Sequence, residues 1–192
     1  MRNSFFIVLY GVSGAGKSTL RDEAIKSFPK LKKLIAVTTR PPRQGEIEGV
    51  DKYFLTKDEF FDRNSSGELC LANKVYEHMY AFRLNDFKSG DVYICELYHR
   101  DYKAFRETGA INVNIYIKPY FLQKAFEGIA NRGSSFDELE KRHSLMEEDH
   151  NVLEDMLENG LFNYTFINHY DEQSIDEFVK LINKIIANGG NA

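Results

Sequence analysis

Cysteine is scarce in this 192-residue chain: only Cys70 and Cys95 occur, both inside strand-like runs. That excludes a disulfide framework and a Cys-built metal site, and leaves two reduced, small apolar residues. Long hydrophobic runs are also missing, so no segment has the length of a membrane span. Met1-Arg2-Asn3 leads straight into a short strand, without the pattern of a secretory leader. The chain therefore reads as cytoplasmic, with no membrane partner. Positive charge is not in excess either. The net charge is −4, and the densest basic cluster is Lys30, Lys32 and Lys33. A general nucleic-acid role has no electrostatic support. No internal repeat and no low-complexity tract occurs, and the histidines and cysteines lack metal-ligand spacing. His143 and His150, a helical seven apart among acids, read as a solvated face.

What is present is concentrated between Gly11 and Thr19, where Gly-Val-Ser-Gly-Ala-Gly-Lys-Ser-Thr forms a complete P-loop. The apolar run Phe5 to Tyr10 before it has strand length. Leu20, Ala24, Ile25 and Phe28 after it recur at helical spacing. In this strand–loop–helix setting Gly11, Ser13, Gly14, Ala15, Gly16 and Thr19 wrap phosphates with backbone N–H groups, aided by the helix N-terminus. Lys17 reaches the β- and γ-phosphates of ATP and the Ser18 hydroxyl meets Mg²⁺.

Further along, Leu34 to Thr38 reads as a second strand, followed by the proline-broken segment Thr39 to Glu46. Thr56-Lys57-Asp58-Glu59 is a capping box opening a short helix through Phe60 and Phe61. A strand is expected over Leu69 to Tyr76 and a short helix over Asn85 to Ser89. Wound α/β structure returns at residue 91. Strands run over Val92–Leu97, Ile111–Ile117 and Tyr164–Asn168; helices run over Tyr102–Thr108, about 119–128, 136–157 and 174–187. The expected fold is a single P-loop α/β domain over 1–192 with a mainly parallel sheet. Its core covers about 1–38, 91–126 and 146–188, with a small insertion at 39–90 and a lid at 127–145.

The run Thr38-Thr39-Arg40-Pro41-Pro42-Arg43-Gln44-Gly45-Glu46, with Gly49, Asp51 and Phe54 following, resembles the guanylate kinases. So does the order of P-loop, arginine segment, acidic strand end, lid and late Ile-Asn. The resemblance implies an ATP- and Mg²⁺-dependent nucleoside monophosphate kinase. Arg40 and Arg43, in a stiff non-helical segment, offer two guanidinium forks to one acceptor phosphate. By the same likeness Tyr80 also touches that phosphate, and Lys52 replaces the family's second phosphate tyrosine. Glu96 fills the place of the acid that manages Mg²⁺ and faces the acceptor. Arg132 and Arg142 resemble the lid arginines that close on the transferring group, and Asn168 the asparagine beside adenine. Phosphoryl transfer rests on positioning and electrostatics, so the lack of a catalytic His or Asp is no obstacle. His99-Arg100-Asp101 mimics a protein-kinase catalytic loop only by coincidence, since the position needing asparagine is Arg106.

The places that read guanine in this family depart from its pattern: they hold Ala36, Leu71, Phe82 and Tyr98. The acceptor is thus GMP by family, or another nucleotide or a ribose phosphate, as in the related ribose bisphosphate phosphokinases. A non-catalytic guanylate-kinase-like binding module is a third reading, at odds with the intact Lys17 and Ser18.

Overall fold

The computed structural model describes residues 4–130 and 136–189. Five parallel strands form the main sheet: β1 (Phe5–Tyr10), β2 (Leu31–Lys33), β7 (Val92–Glu96), β8 (Ile111–Pro119) and β9 (Tyr164–Asn168), in the order β2-β7-β1-β8-β9. β1 is central because it is apolar on both faces, and Phe6 to Tyr10 have no exposed surface. Alternation along the strands divides the core between two faces. On one, Phe6 packs edge-on to Phe105 of α3 (Tyr102–Glu107), and Tyr116 bonds Glu154 of α5 (Phe136–Glu158). On the other, Phe166 meets Phe178 of α6 (Glu172–Ala187), which packs on α1 (Lys17–Ser27). α4 (Leu122–Ala130) follows β8 and lies against α5.

Of the strand expected over residues 34–38 only the end forms, and a separate strand that the sequence reading did not expect precedes it. Leu31–Lys33 joins the main sheet, whereas Ala36–Thr38 is β3 of a second sheet, ordered β4-β3-β6-β5. There it pairs with β4 (Tyr53–Phe54) in parallel and β6 (His78–Arg83) in antiparallel fashion; β5 (Leu69–Val75) completes the sheet. Strands of three residues carry no signal of which sheet takes them. Leu34 and Ile35 separate the two pieces, the Leu34 N–H still bonded to the Ile94 carbonyl.

One face of the second sheet holds Val37, Leu69 and Ala81, covered by Phe60 of α2 (Lys57–Ser65). The capping box that opens α2 forms as expected, with Thr56 and Glu59 exchanging hydrogen bonds. The opposite face carries Ala36, Cys70 and Phe82, packed against the main core, and in the adjoining row Thr38, Tyr80 and Asn73. Residues 84–86 form a 3₁₀ turn in place of the expected helix. Cys95 is buried and Cys70 half-buried, and both are free thiols. Among the described residues no helix is long and apolar enough to cross a membrane.

Candidate active site

The loop from Gly11 to Gly16 leaves the carboxyl end of β1, between β7 and β8, where ligands bind in sheets of this winding. Gly14 and Gly16 have φ of 83° and 85°. A Cβ on Gly14 would fall 2.0 Å from the Ala125 carbonyl oxygen of α4, and one on Gly16 would fall 2.3 Å from Asn168 Nδ2. The backbone conformation favours glycine at both positions, and at Gly14 the packing requires it as well. Gly16 caps α1, and Lys17 is its first residue. Lys17 Nζ donates to the carbonyls of Gly11 (2.8 Å) and Val12 (2.9 Å), which holds the ammonium over the loop. Ser18 and Thr19 are exposed on the opening turn.

Asn168 and Tyr170 brace this loop from behind. Asn168 Nδ2 donates to the Ala15 carbonyl (2.9 Å), its Oδ1 accepts from the Tyr170 N–H (2.9 Å), and the Tyr170 hydroxyl donates to the Gly14 carbonyl (3.2 Å). Tyr170 takes up a left-handed backbone, φ 64°, to make this contact.

Glu96 ends β7 beside the loop. Its carboxylate accepts from Arg21 Nη1, and Arg21 is also held by Asp22. Burial works to raise the Glu96 pKa, but Arg21, then Lys17, Lys52 and Lys33 outweigh it and hold the group below the ordinary carboxylate value. Lys52 also acts on that carboxylate, and its Nζ lies 5.8 Å from the centre of the Tyr80 ring. Burial is the main force pushing the Lys52 pKa down; Arg21 and Arg40 add to it, while Glu96 and Glu46 oppose it. Lys33 bridges Asp22 (3.8 Å) and Asp51 (3.6 Å).

Arg40 is buried and its side chain is fully organised. Nη2 donates to both oxygens of Glu46 at 2.8 Å and Nη1 to the Pro41 carbonyl at 2.6 Å. Glu46 also accepts from the Arg43 N–H at 2.7 Å. Burial alone would raise its pKa; that backbone bond and Arg40 lower it overall. The two threonines before Arg40 tie the segment to β6. The Thr38 hydroxyl donates to the Met79 carbonyl and accepts from the Arg40 N–H, and the Thr39 hydroxyl accepts from the Met79 N–H. The Arg43 side chain is exposed nearby.

Arg132 lies outside the described residues, and of Arg142 only its place in α5 is described. The guanine-reading positions fall as follows. Ala36 and Phe82 are direct cross-strand partners, and Leu71 sits in a β-bulge with φ 52°. Tyr98 donates to Asp149 of α5 at 2.6 Å. Sequence reasoning missed the contact of Arg21 with Glu96 and that of Asp149 with Tyr76 and Tyr98, each between residues remote in the chain. It also placed His150 on a solvated face. The helix turns it inward, where Nδ1 lies 3.2 Å from the Tyr116 hydroxyl and 3.9 Å from Glu154.

A sequence model of the family described as guanylate kinase matches residues 3–188. Among individual relatives, a guanylate kinase of Caldanaerobacter subterraneus subsp. tengcongensis is 30% identical over 190 residues, covering 96% of this chain and 87% of the relative. One from Clostridioides difficile is 29% identical over 160 residues, or 81% and 78% of the two chains. The crystal structure of guanylate kinase from Anaplasma phagocytophilum superposes with a TM-score of 0.68 at 21% identity, covering 98% of this chain and 87% of that one, which shows the fold. With a matching family model over nearly its whole length and a complete phosphate loop in place, this chain belongs to the guanylate kinase family.

Proposed function

We propose that the protein transfers the γ-phosphoryl group of ATP to the phosphate of GMP. The observation that carries this reading is the position of Glu96. One ionised carboxylate lies within electrostatic reach of Lys17 on the donor side and Lys52 on the acceptor side. The donor triphosphate would lie in the Gly11–Thr19 loop and the acceptor phosphate against Arg40, Arg43, Tyr80 and Lys52. An acceptor oxygen then attacks the γ-phosphorus as its bond to the β-bridging oxygen breaks and ADP leaves.

This chain's residues act by position and charge. Lys17 stabilises negative charge on the transferring group, and Arg40 is held rigidly by Glu46 so that its remaining donors face the acceptor. In the lid, Arg132 and Arg142 would complete the cage and exclude water. The donor set suits Mg²⁺: a hydroxyl on the helix's first turn, Ser18, and a carboxylate held in its charged form, Glu96, both hard oxygen ligands. When bound, that ion would neutralise charge on the β- and γ-phosphates.

The test is ADP release from Mg-ATP against GMP, dGMP, the other nucleoside monophosphates and ribose phosphates. GMP turnover is expected, with a loss of at least 100-fold in Lys17→Ala, of the size seen on removing one transition-state donor. Arg40→Ala should weaken acceptor use with little change in the KM for ATP. Transfer by Lys17→Ala within a few-fold of the parent would refute the mechanism.

A further inference from the structure

The second sheet is joined to the main body at one end. Its chain connections begin at Ile35, beside Ala36, and at Leu84, beside Arg83, and Ala36 is the direct partner of Phe82. Both connections therefore lie at the same end of β6. The β5–β6 turn, Tyr76-Glu77, lies at the other end, the six residues of β6 or about 20 Å away. Near the connections Ala36, Cys70 and Phe82 pack on the main core. Tyr80, assigned to the acceptor phosphate, stands on β6 between the connections and the turn.

At that turn the backbone is strained. Tyr76 takes a left-handed φ of 56° in a two-residue turn closed by the Val75–His78 pair. Asparagine and glycine suit such a place, and a tyrosine does not. Its phenol nevertheless reaches across to α5 and donates to Asp149 Oδ2 at 2.7 Å. Strain kept for the sake of one directed bond points to a task for that bond.

Asp149 is a fixed post for it. The residue is 5% exposed, and its other oxygen accepts from Tyr98 Oη at 2.6 Å. Met146 and Leu153, one turn before and after it on α5, are buried in the main core. Glu154 accepts from both Tyr116 and Lys118 of β8, which fastens the same stretch of helix to the main sheet. His99 Nδ1, 3.8 Å from the Asp149 carboxylate, lies beyond hydrogen-bond reach.

We propose that Tyr76 is a positioning residue for the acceptor: acting through Asp149, it holds the second sheet where Tyr80, Arg40 and Lys52 meet one phosphate. This inference rests on the acceptor assignment made above. With its connections at one end and this bond at the other, the sheet is kept from swinging. The acceptor site is then assembled before the acceptor arrives, and binding spends nothing on assembling it. Without the hydroxyl the sheet pivots about its connections, and the apparent affinity falls with the fraction of molecules in which the site is assembled.

The test measures GMP binding by isothermal titration and ADP release at steady state for the parent, Tyr76→Phe, Asp149→Asn and the double variant. Tyr76→Phe keeps the ring and removes only the hydroxyl. It should raise the Kd and KM for GMP about 10-fold, as for one bond to a charged acceptor, with no fall in kcat and an unchanged KM for ATP. Asp149→Asn should weaken GMP at least as much. The double variant should be no weaker than Asp149→Asn alone, because both changes remove the same bond. A Kd from titration does not depend on how much of a variant is folded. An unchanged GMP Kd in Tyr76→Phe, equal losses for GMP and ATP, or additive losses in the double variant would overturn the inference. GMP binding with the expected pattern but no ADP release would refute the kinase reading alone. A parent that binds no GMP would refute the acceptor assignment and this inference with it.

Discussion

Arg21 Nη1 donates to the carboxylate of Glu96, joining the first turns of α1 to the end of β7 across 75 residues of sequence. The arginine side chain is 8% exposed and the glutamate 27%. Removing one partner strands the other charge, which costs about 3–5 kcal/mol for a fully buried pair. Arg21→Leu should therefore destabilise the protein by about 3 kcal/mol, at the low end because Glu96 keeps some contact with water. In a Glu96→Gln background the same substitution should cost much less. Urea unfolding of the two single variants and the double variant measures that coupling, and equal costs in both backgrounds would show that the pair contributes no stability.

Substituting the loop glycines separates backbone from side-chain obstruction. Gly14→Ala drives a methyl onto the α4 backbone, whereas Gly16→Ala meets the Asn168 side chain, which can swing away. Both leave an alanine in a left-handed conformation, at about 1–3 kcal/mol. Gly14→Ala is thus the more damaging of the two to stability and to ATP binding. Asn168→Ala should relieve the clash in Gly16→Ala while costing about 1–3 kcal/mol on its own through the orphaned Ala15 carbonyl. Thermal unfolding of these four variants gives the order.

Asp149 fastens the tip of the second sheet to the core. Its two oxygens accept from Tyr76 Oη at 2.7 Å, in the β5–β6 turn, and from Tyr98 Oη at 2.6 Å, after β7. Tyr76→Phe removes the tie to the hairpin and should cost about 1.5–3 kcal/mol, as for a bond to a charged acceptor. Amide exchange should speed up in 69–83 and stay unchanged in β1 and β8. Unchanged exchange in the hairpin would mean that the phenol holds nothing in place.

The buried Asp101 makes stability depend on pH. Its pKa rises from 3.8 to about 6 on folding. Between those values the native protein holds a proton that the unfolded chain has released, so stability falls as pH rises across that window and stays lowered above it. A shift of two units amounts to about 3 kcal/mol. Asp101→Asn should match the parent near pH 4 and exceed it by up to about 3 kcal/mol at pH 7. Urea midpoints at both pH values measure this, and a gap independent of pH would contradict it.

The legible parts of the molecule are those whose cause is local. The strand–loop–helix around Lys17, the capping box at Thr56, and the order of strands and helices from Val92 onward all follow from short-range patterns. The assignment of Leu31–Lys33 and Ala36–Thr38 to different sheets does not, because both pieces are three residues long and pair with strands far along the chain. A β-bulge likewise has no short-range signature in Cys70-Leu71-Ala72-Asn73, so the chain order does not tell that Asn73, and not Ala72, faces Tyr80. His150 was misread because seven-residue spacing names a helix face without saying what that face meets.

Residue order by itself determined that this chain makes a phosphate loop and a proline-stiffened arginine segment. Both are written in contiguous residues whose backbone preferences need no distant partner. Only the tertiary structure decided which side chains meet: Arg21 on Glu96, Asn168 behind Ala15, Asp149 between two tyrosines, and Asn73 on Asp101. Each of these pairs spans at least 28 residues of chain. Side chains that far apart meet only after the sheets have fixed their register, and register is a property of the packed whole.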